Sequence, residues 1–223
     1  MLIGYDSDSV IDEANLNVIN HLVNHSEYIN TIFDAFKLFK LRNCAIEFDG
    51  KPQFINERSF AYELYRTWNS TKPEGLVVNA EVTKTVTNVF EAKALEIFGE
   101  EKHRFYPDIV LHSGQHNSGQ QEIICEVKTL SNLNKDSLAK DLRKLIAYTT
   151  KGGCIIHEFK TGLFILVNGS SKDIANYLSK ESIGLLSNSK ILFISILITN
   201  WEVLPELKTV QELIQIRQNL NKQ

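Results

Sequence analysis

The sequence predicts an α/β protein, a mixed central β-sheet flanked by helices with an N-terminal helical extension. Three observations carry this. From residue 57 onward, segments of helical and strand periodicity follow one another as helix, strand, helix, two strands, helix, strand, helix, strand, helix. The two short runs within Pro107–Lys128 mix apolar and charged residues, whereas Gly162–Val167 and Ile191–Thr199 are almost wholly apolar, as strands covered on both faces are. Finally, 43% of the 223 residues are hydrophobic and 23% charged, which suits one substantial folded domain.

Residues 8–40 carry apolar side chains at three- and four-residue steps, from Val10 and Ile11 to Phe36 and Phe39. This predicts two helices broken near His25-Ser26. Residues 1–50 form the expected helical extension, and residues 51–223 the main domain. Asp49-Gly50 and Lys51-Pro52 mark a turn within irregular structure or a short hairpin. A helix starting at Asn56-Glu57 aligns Phe60, Leu64 and Trp68, and Lys72-Pro73-Glu74-Gly75 ends it. Leu76–Val82 reads as a strand with Asn79 and Glu81 on one face. Thr87–Phe98 reads as a helix stopped by Gly99. Downstream, Leu138, Leu142, Leu145 and Ile146 make the buried stripe of a helix over about 136–150. Further helices are expected over Lys172–Leu178 and from Pro205, where proline suits a first turn.

Several function classes are excluded or disfavoured. No apolar run approaches the length of a membrane span and the N-terminus lacks a signal-peptide pattern, so a cytoplasmic location is expected. Cys44, Cys125 and Cys154 are widely separated and odd in number, which fits neither a disulfide framework nor a paired-cysteine zinc site. His21 and His25 stand one helical turn apart, but with no third ligand nearby they read as exposed or capping. A net charge of −3 argues against a general nucleic-acid coat. Charge is uneven, however. Eight acidic and three basic residues fall in 1–50, and seven basic against three acidic in Lys128–Lys160, which is either a local basic patch or a solvated helix face.

The informative stretch is Pro107–Lys128. Two Ile- and Val-rich runs separated by Gly114, Asn117, Ser118 and Gly119 predict a β-hairpin. In its second strand Ile123, Cys125 and Val127 share one face, and Glu122, Ile124, Glu126 and Lys128 the other. If Asp108 pairs roughly opposite Glu126, two carboxylates and an ammonium converge at one sheet end. Such carboxylates repel unless a cation lies between them.

Pro107-Asp108 followed by Glu126-Val127-Lys128 in a hairpin resembles the PD-(D/E)xK nucleases, which have the restriction-endonuclease-like fold. The resemblance spans roughly residues 57–200. It implies a restriction-endonuclease-like core and phosphodiester hydrolysis with magnesium or manganese. Asp108 and Glu126 would hold the metal, with the Val127 carbonyl as a further oxygen ligand, and Lys128 would act on the attacking water or the transition state. The Tyr62–Arg66 string resembles the first helix of many such proteins, so Glu63 is the expected upstream carboxylate, with Glu81 as the second candidate. Alternatively Glu63 pairs with Arg66 or Arg58. Lys140 and Lys144 follow the ExK strand and are expected to meet phosphates, although Asp141 and Lys144 can also pair. The implied partner is nucleic acid, DNA before RNA, with a homodimer for double-strand cutting and a protein partner through residues 1–50 as further expectations.

Overall fold

In a computed structural model of the chain, residues 26–80, 84–85, 104–113, 121–150, 158–186 and 189–222 are described. Helix α1 (Ile29–Lys37) and a 3-10 turn (Leu41–Asn43) lead into a hairpin of β1 (Ala45–Phe48) and β2 (Lys51–Ile55). Asp49 and Gly50 both have positive φ, 49° and 73°, the backbone that a tight two-residue hairpin turn requires. Helix α2 (Glu57–Thr71) begins where the Asn56 side chain accepts the Ser59 N–H at 3.0 Å. Strands β3 (Val77–Ala80), β4 (Lys84–Thr85), β5 (Arg104–Phe105), β6 (Ile109–His112) and β7 (Gln121–Thr129) follow. Then come a 3-10 turn (Leu130–Asn132), α3 (Lys135–Thr149), β8 (Thr161–Val167), α4 (Ser171–Tyr177) and α5 (Lys180–Leu186). The chain closes with β9 (Ile191–Thr199), β10 (Glu202–Thr209) and α6 (Val210–Leu220).

Six strands form the central sheet in the order β10-β9-β8-β7-β6-β3. Strands β7, β8 and β9 run parallel, whereas β6 pairs antiparallel with β7, β3 with β6, and β10 with β9. The mixed sheet expected from the two kinds of apolar run is therefore present. One face, with Cys125, Val127, Ile165 and Ile194, packs on α1 and α2 through Ile32, Phe36, Phe60 and Trp68. The opposite face, with Ile124, Phe164, Leu166 and Phe193, packs on α3 through α6. All seven residues of β8 are buried, as a strand sandwiched between helical layers must be. Gly162 lets α3 lie directly on β8: a Cβ there would sit 3.3 Å from the Leu145 Cβ. That close approach sets where α3 delivers its charged residues.

Two elements differ from the sequence-based expectation. Pro205 does not open a helix but lies inside β10, and the last helix starts at Val210, where Thr209 and Glu212 form a capping box. Asn200 and Trp201, with φ of 50° and 69°, turn the chain straight back from β9 into β10. An edge strand tolerates a proline because its outer side has no ladder to complete. Helix α5 was not anticipated. The expected helices of 8–25 and Thr87–Phe98 lie outside the described residues, as do His21, His25 and Cys154. Among the described residues no helix is long and apolar enough to cross a membrane.

The expected division at residue 50 falls in the turn of the β1–β2 hairpin. Helix α1 shares the core of α2, and the Trp68 indole N–H donates to the Thr31 hydroxyl at 2.8 Å. Ile32 is fully buried in that core. Ile32→Ala is therefore expected to lower the unfolding free energy by about 2–4 kcal/mol within a single urea transition. A separate early transition in the parent, with the main transition unmoved by the substitution, would contradict a shared core.

Candidate active site

The β6–β7 register, Ile109 opposite Cys125, brings Asp108 across from Glu126. Asp108 donates its N–H to the Cys125 carbonyl at 3.2 Å, and its Oδ2 accepts the Val127 N–H at 2.7 Å. The condition for two converging carboxylates is thus met where β6 begins and β7 approaches its carboxyl end. Strand alternation puts Glu126 and Lys128 on the face covered by α3. From α3, Lys144 reaches Glu126 Oε2 at 2.5 Å and Asp141 Oδ1 at 3.0 Å, while Asp141 Oδ2 lies 3.2 Å from the Lys128 ammonium. Glu57, the first residue of α2, closes the group. Its Oε1 is 3.4 Å from Lys128, and its Oε2 accepts the Thr129 N–H at 3.1 Å and the Asn132 amide at 3.3 Å.

Four carboxylates, Glu57, Asp108, Glu126 and Asp141, thus surround two ammonium groups, Lys128 and Lys144. Within this group of described residues, carboxylates outnumber ammonium groups by two. The acid–base behaviour reflects burial first and the neighbouring carboxylates second. Burial pushes the Asp108 carboxyl up to about 6, against the Val127 N–H and Lys144, and with Asp141 and Glu57 adding repulsion. Glu126 is also raised well above the usual carboxylate range, chiefly by burial, with Lys144 opposing and Asp108 and Asp141 reinforcing. Burial works against the charge on both lysines, yet the neighbouring carboxylates more than offset it and both are raised. Glu126 Oε1 is buried without a hydrogen-bond donor, and Asp141 Oδ2 meets the Lys128 ammonium at 3.2 Å.

Asp108, Glu126 and Lys128 are brought together as expected, with Val127 between the last two and its side chain in the core. Lys144 belongs to the cluster itself, paired with Glu126 and Asp141, while Lys140 is exposed one turn earlier on α3. Glu63 does not join them. At 3.6 residues per turn it lies roughly 120° around α2 from Glu57. Its two oxygens take Arg66 at 2.6 and 2.9 Å, the Asn43 amide at 3.0 Å and the Lys40 N–H at 3.0 Å. Arg66 above all, with Asn43 and Lys40 and against burial, draws its carboxyl down to about 2. Of the two readings of Glu63, the geometry is that of pairing with Arg66. Glu81 lies outside the described residues. Glu122 is buried on Ser26 and Lys160, at 2.8 and 2.7 Å, towards the start of β7. Cys44 and Cys125 are buried thiols raised by burial, Cys44 to about 12.

Glu57 is the site residue that the sequence reading missed. An acidic residue in the first turn of a helix is ordinarily explained by the helix dipole, and nothing local marks it as reaching another element. Asp141 was visible only as a partner for Lys144. The site opens to solvent beside α2, where a pocket of about 140 Å³ is lined by Glu57, Arg58, Ala61, Tyr62 and Asp108.

Among the described residues no three His, Cys, Asp or Glu side chains enclose a ready metal site, because lysines lie between the carboxylates. The donor chemistry nevertheless fits a hard divalent cation. Glu126 Oε1 has no donor, Asp108 commits one oxygen to Val127 and borders the pocket, and the group carries a negative excess. No family model, curated protein or solved structure matches the chain.

Between an ordinary carboxyl value of 3.8 and about 6, folded Asp108 keeps a proton that the unfolded chain releases. Its contribution to stability therefore falls as pH rises through that window. Relative to the parent, Asp108→Asn is expected to gain about 1–3 kcal/mol between about pH 4 and pH 7 in urea unfolding. A pH-independent difference between the two proteins would show that this carboxyl is not under strain.

Proposed function

We propose that the chain is a metal-dependent nuclease that hydrolyses phosphodiester bonds, in DNA before RNA, with magnesium or manganese as cofactor and a restriction-endonuclease-like core. The observation that carries the reading is the convergence of Asp108, Glu126 and Lys128 at one sheet end, in a group of four carboxylates and two ammonium groups among the described residues. Asp108 and the free oxygen of Glu126 would hold the cation, with the Val127 carbonyl as a third donor. When bound, the ion supplies a water acidified towards hydroxide and a Lewis acid for the phosphoryl oxygens.

The remaining groups have roles of their own. Glu57 and Asp141 hold the Lys128 ammonium from two sides, so it is fixed and charged where it can orient a water or offset charge growing on the phosphorus centre. Asp141 also holds Lys144, which opposes the upward shift that burial imposes on the Glu126 carboxyl. Lys140, exposed one turn away, suits a backbone phosphate flanking the cut. Glu57 takes the place of Glu63 as the upstream carboxylate in this reading, acting through Lys128 and the Thr129 amide.

One observation favours a second reading. Lys144 already sits on Glu126 at 2.5 Å, so the chain supplies part of the neutralising charge. A non-cleaving subunit that binds nucleic acid or protein would use the same network for stability alone.

Cleavage of plasmid DNA and of RNA in magnesium or manganese chloride separates the two. The parent is expected to cut in either metal and not in EDTA. Asp108→Asn and Lys128→Ala should lose at least about a hundredfold in rate, and Glu57→Gln more than Glu63→Gln. Absence of cutting by the folded parent would leave the binding reading, and variants as active as a cutting parent would take this site out of the chemistry.

A further inference from the structure

Beside the ion cluster lies a cleft of about 640 Å³, walled by the β1–β2 hairpin, the start of α2 and the turn after β7. That volume is in the range that accepts a small organic group. Cys44, Ile46 and Ile55 supply an apolar wall, and Ser59, Ser131 and Asn132 supply neutral hydroxyl and amide groups. Among the described residues, Glu57 and Arg58 alone bring charge to the lining. Glu57 is also the contact of Lys128, and Thr129, bonded to Glu57, follows Lys128 directly, so the cleft and the ion cluster share a wall.

This lining selects its occupant. A bare phosphate calls for several cations, and the described lining offers one, Arg58. A flat heterocycle with hydrogen-bonding edges suits it better, because the apolar wall covers a ring face while hydroxyls and amides read an edge. Bases inside a duplex are stacked and cannot enter such a cleft. We infer that the cleft receives an unpaired nucleobase next to the bond to be cut, so that the substrate is nucleic acid with a single-stranded segment at the site. The inference rests on the phosphodiester reading above and extends it from the bond to the form of the substrate. Arg58, on the rim, meets the backbone of that nucleotide. Phe48, 65% exposed on the hairpin beside Ile46 at 68%, offers a ring on which the next base stacks.

The test is fluorescence anisotropy on the full chain in EDTA, with a fluorescein-labelled single-stranded oligodeoxynucleotide and a blunt duplex of the same sequence. Ser131→Trp fills the cleft from an exposed position, and Arg58→Ala removes the rim cation. The parent is expected to bind the single strand about tenfold more tightly than the duplex. Loss of that preference in either folded variant supports the inference, with duplex affinity unchanged in Ser131→Trp. Equal affinity of the parent for the two oligonucleotides, or a preference preserved in both folded variants, overturns it. A parent that prefers the single strand but does not cut in magnesium keeps the cleft and loses the nuclease chemistry. A parent that cuts without any preference does the reverse.

Discussion

The Lys144 ammonium, held between Glu126 and Asp141, is the contact on which the site's arrangement depends. It joins β7 to α3 across the sheet face and keeps one buried carboxylate from standing alone. Buried charges are costly to desolvate, and a pair of this kind is only weak evidence of net stability. What it does fix is position. With Asp141 anchored by Lys144, its other oxygen meets Lys128, and Lys128 in turn meets Glu57 at the start of α2. One chain of charges therefore ties a strand, a helix from each layer and the loop after β7 to the same sheet end.

The surrounding fold makes this arrangement possible. The antiparallel β6–β7 register sets Asp108 against Glu126, while the parallel β7–β8 pair needs a crossover helix, which is α3. Gly162 lets that helix sit close to β8, so its polar edge comes within reach of the strand. Open α/β sheets place ligands beyond the carboxyl ends of their parallel strands. Here the carboxyl end of β7 carries both the ion cluster and, through Glu57 and Thr129, the larger cleft.

Much of this was legible in the sequence because it rests on short periods. The two-residue repeat of Glu122–Lys128 fixed which side chains share a face, and the wholly apolar runs of β8 and β9 identified strands covered on both sides. The helical stripe of Leu138, Leu142 and Leu145 put Asp141 and Lys144 on one flank of α3. Less legible were features set by distant contacts. Glu63 and Glu57 lie on the same helix, and only the packing of α2 against the sheet and the Leu41–Asn43 turn decides that Glu57 reaches Lys128 while Glu63 turns to Arg66 and Asn43. Pro205 in an edge strand was misread because proline also suits a helix start, and the left-handed Asn200-Trp201 turn that makes β10 has no glycine to announce it.

The central claim is that the excess negative charge around Asp108 and Glu126 is a seat for a divalent cation. Isothermal titration of the EDTA-stripped protein with magnesium chloride and with manganese chloride, near pH 6 in two buffers of different ionisation heat, tests it most directly. Saturable binding with release of a fraction of a proton is predicted, because Asp108 is partly protonated there and must ionise to take the ion. Asp108→Asn should weaken the binding and reduce the buffer dependence, to which the Glu126 carboxyl, also raised, contributes. No saturable heat with either ion, or equal binding by the variant, would contradict a metal seat at this sheet end.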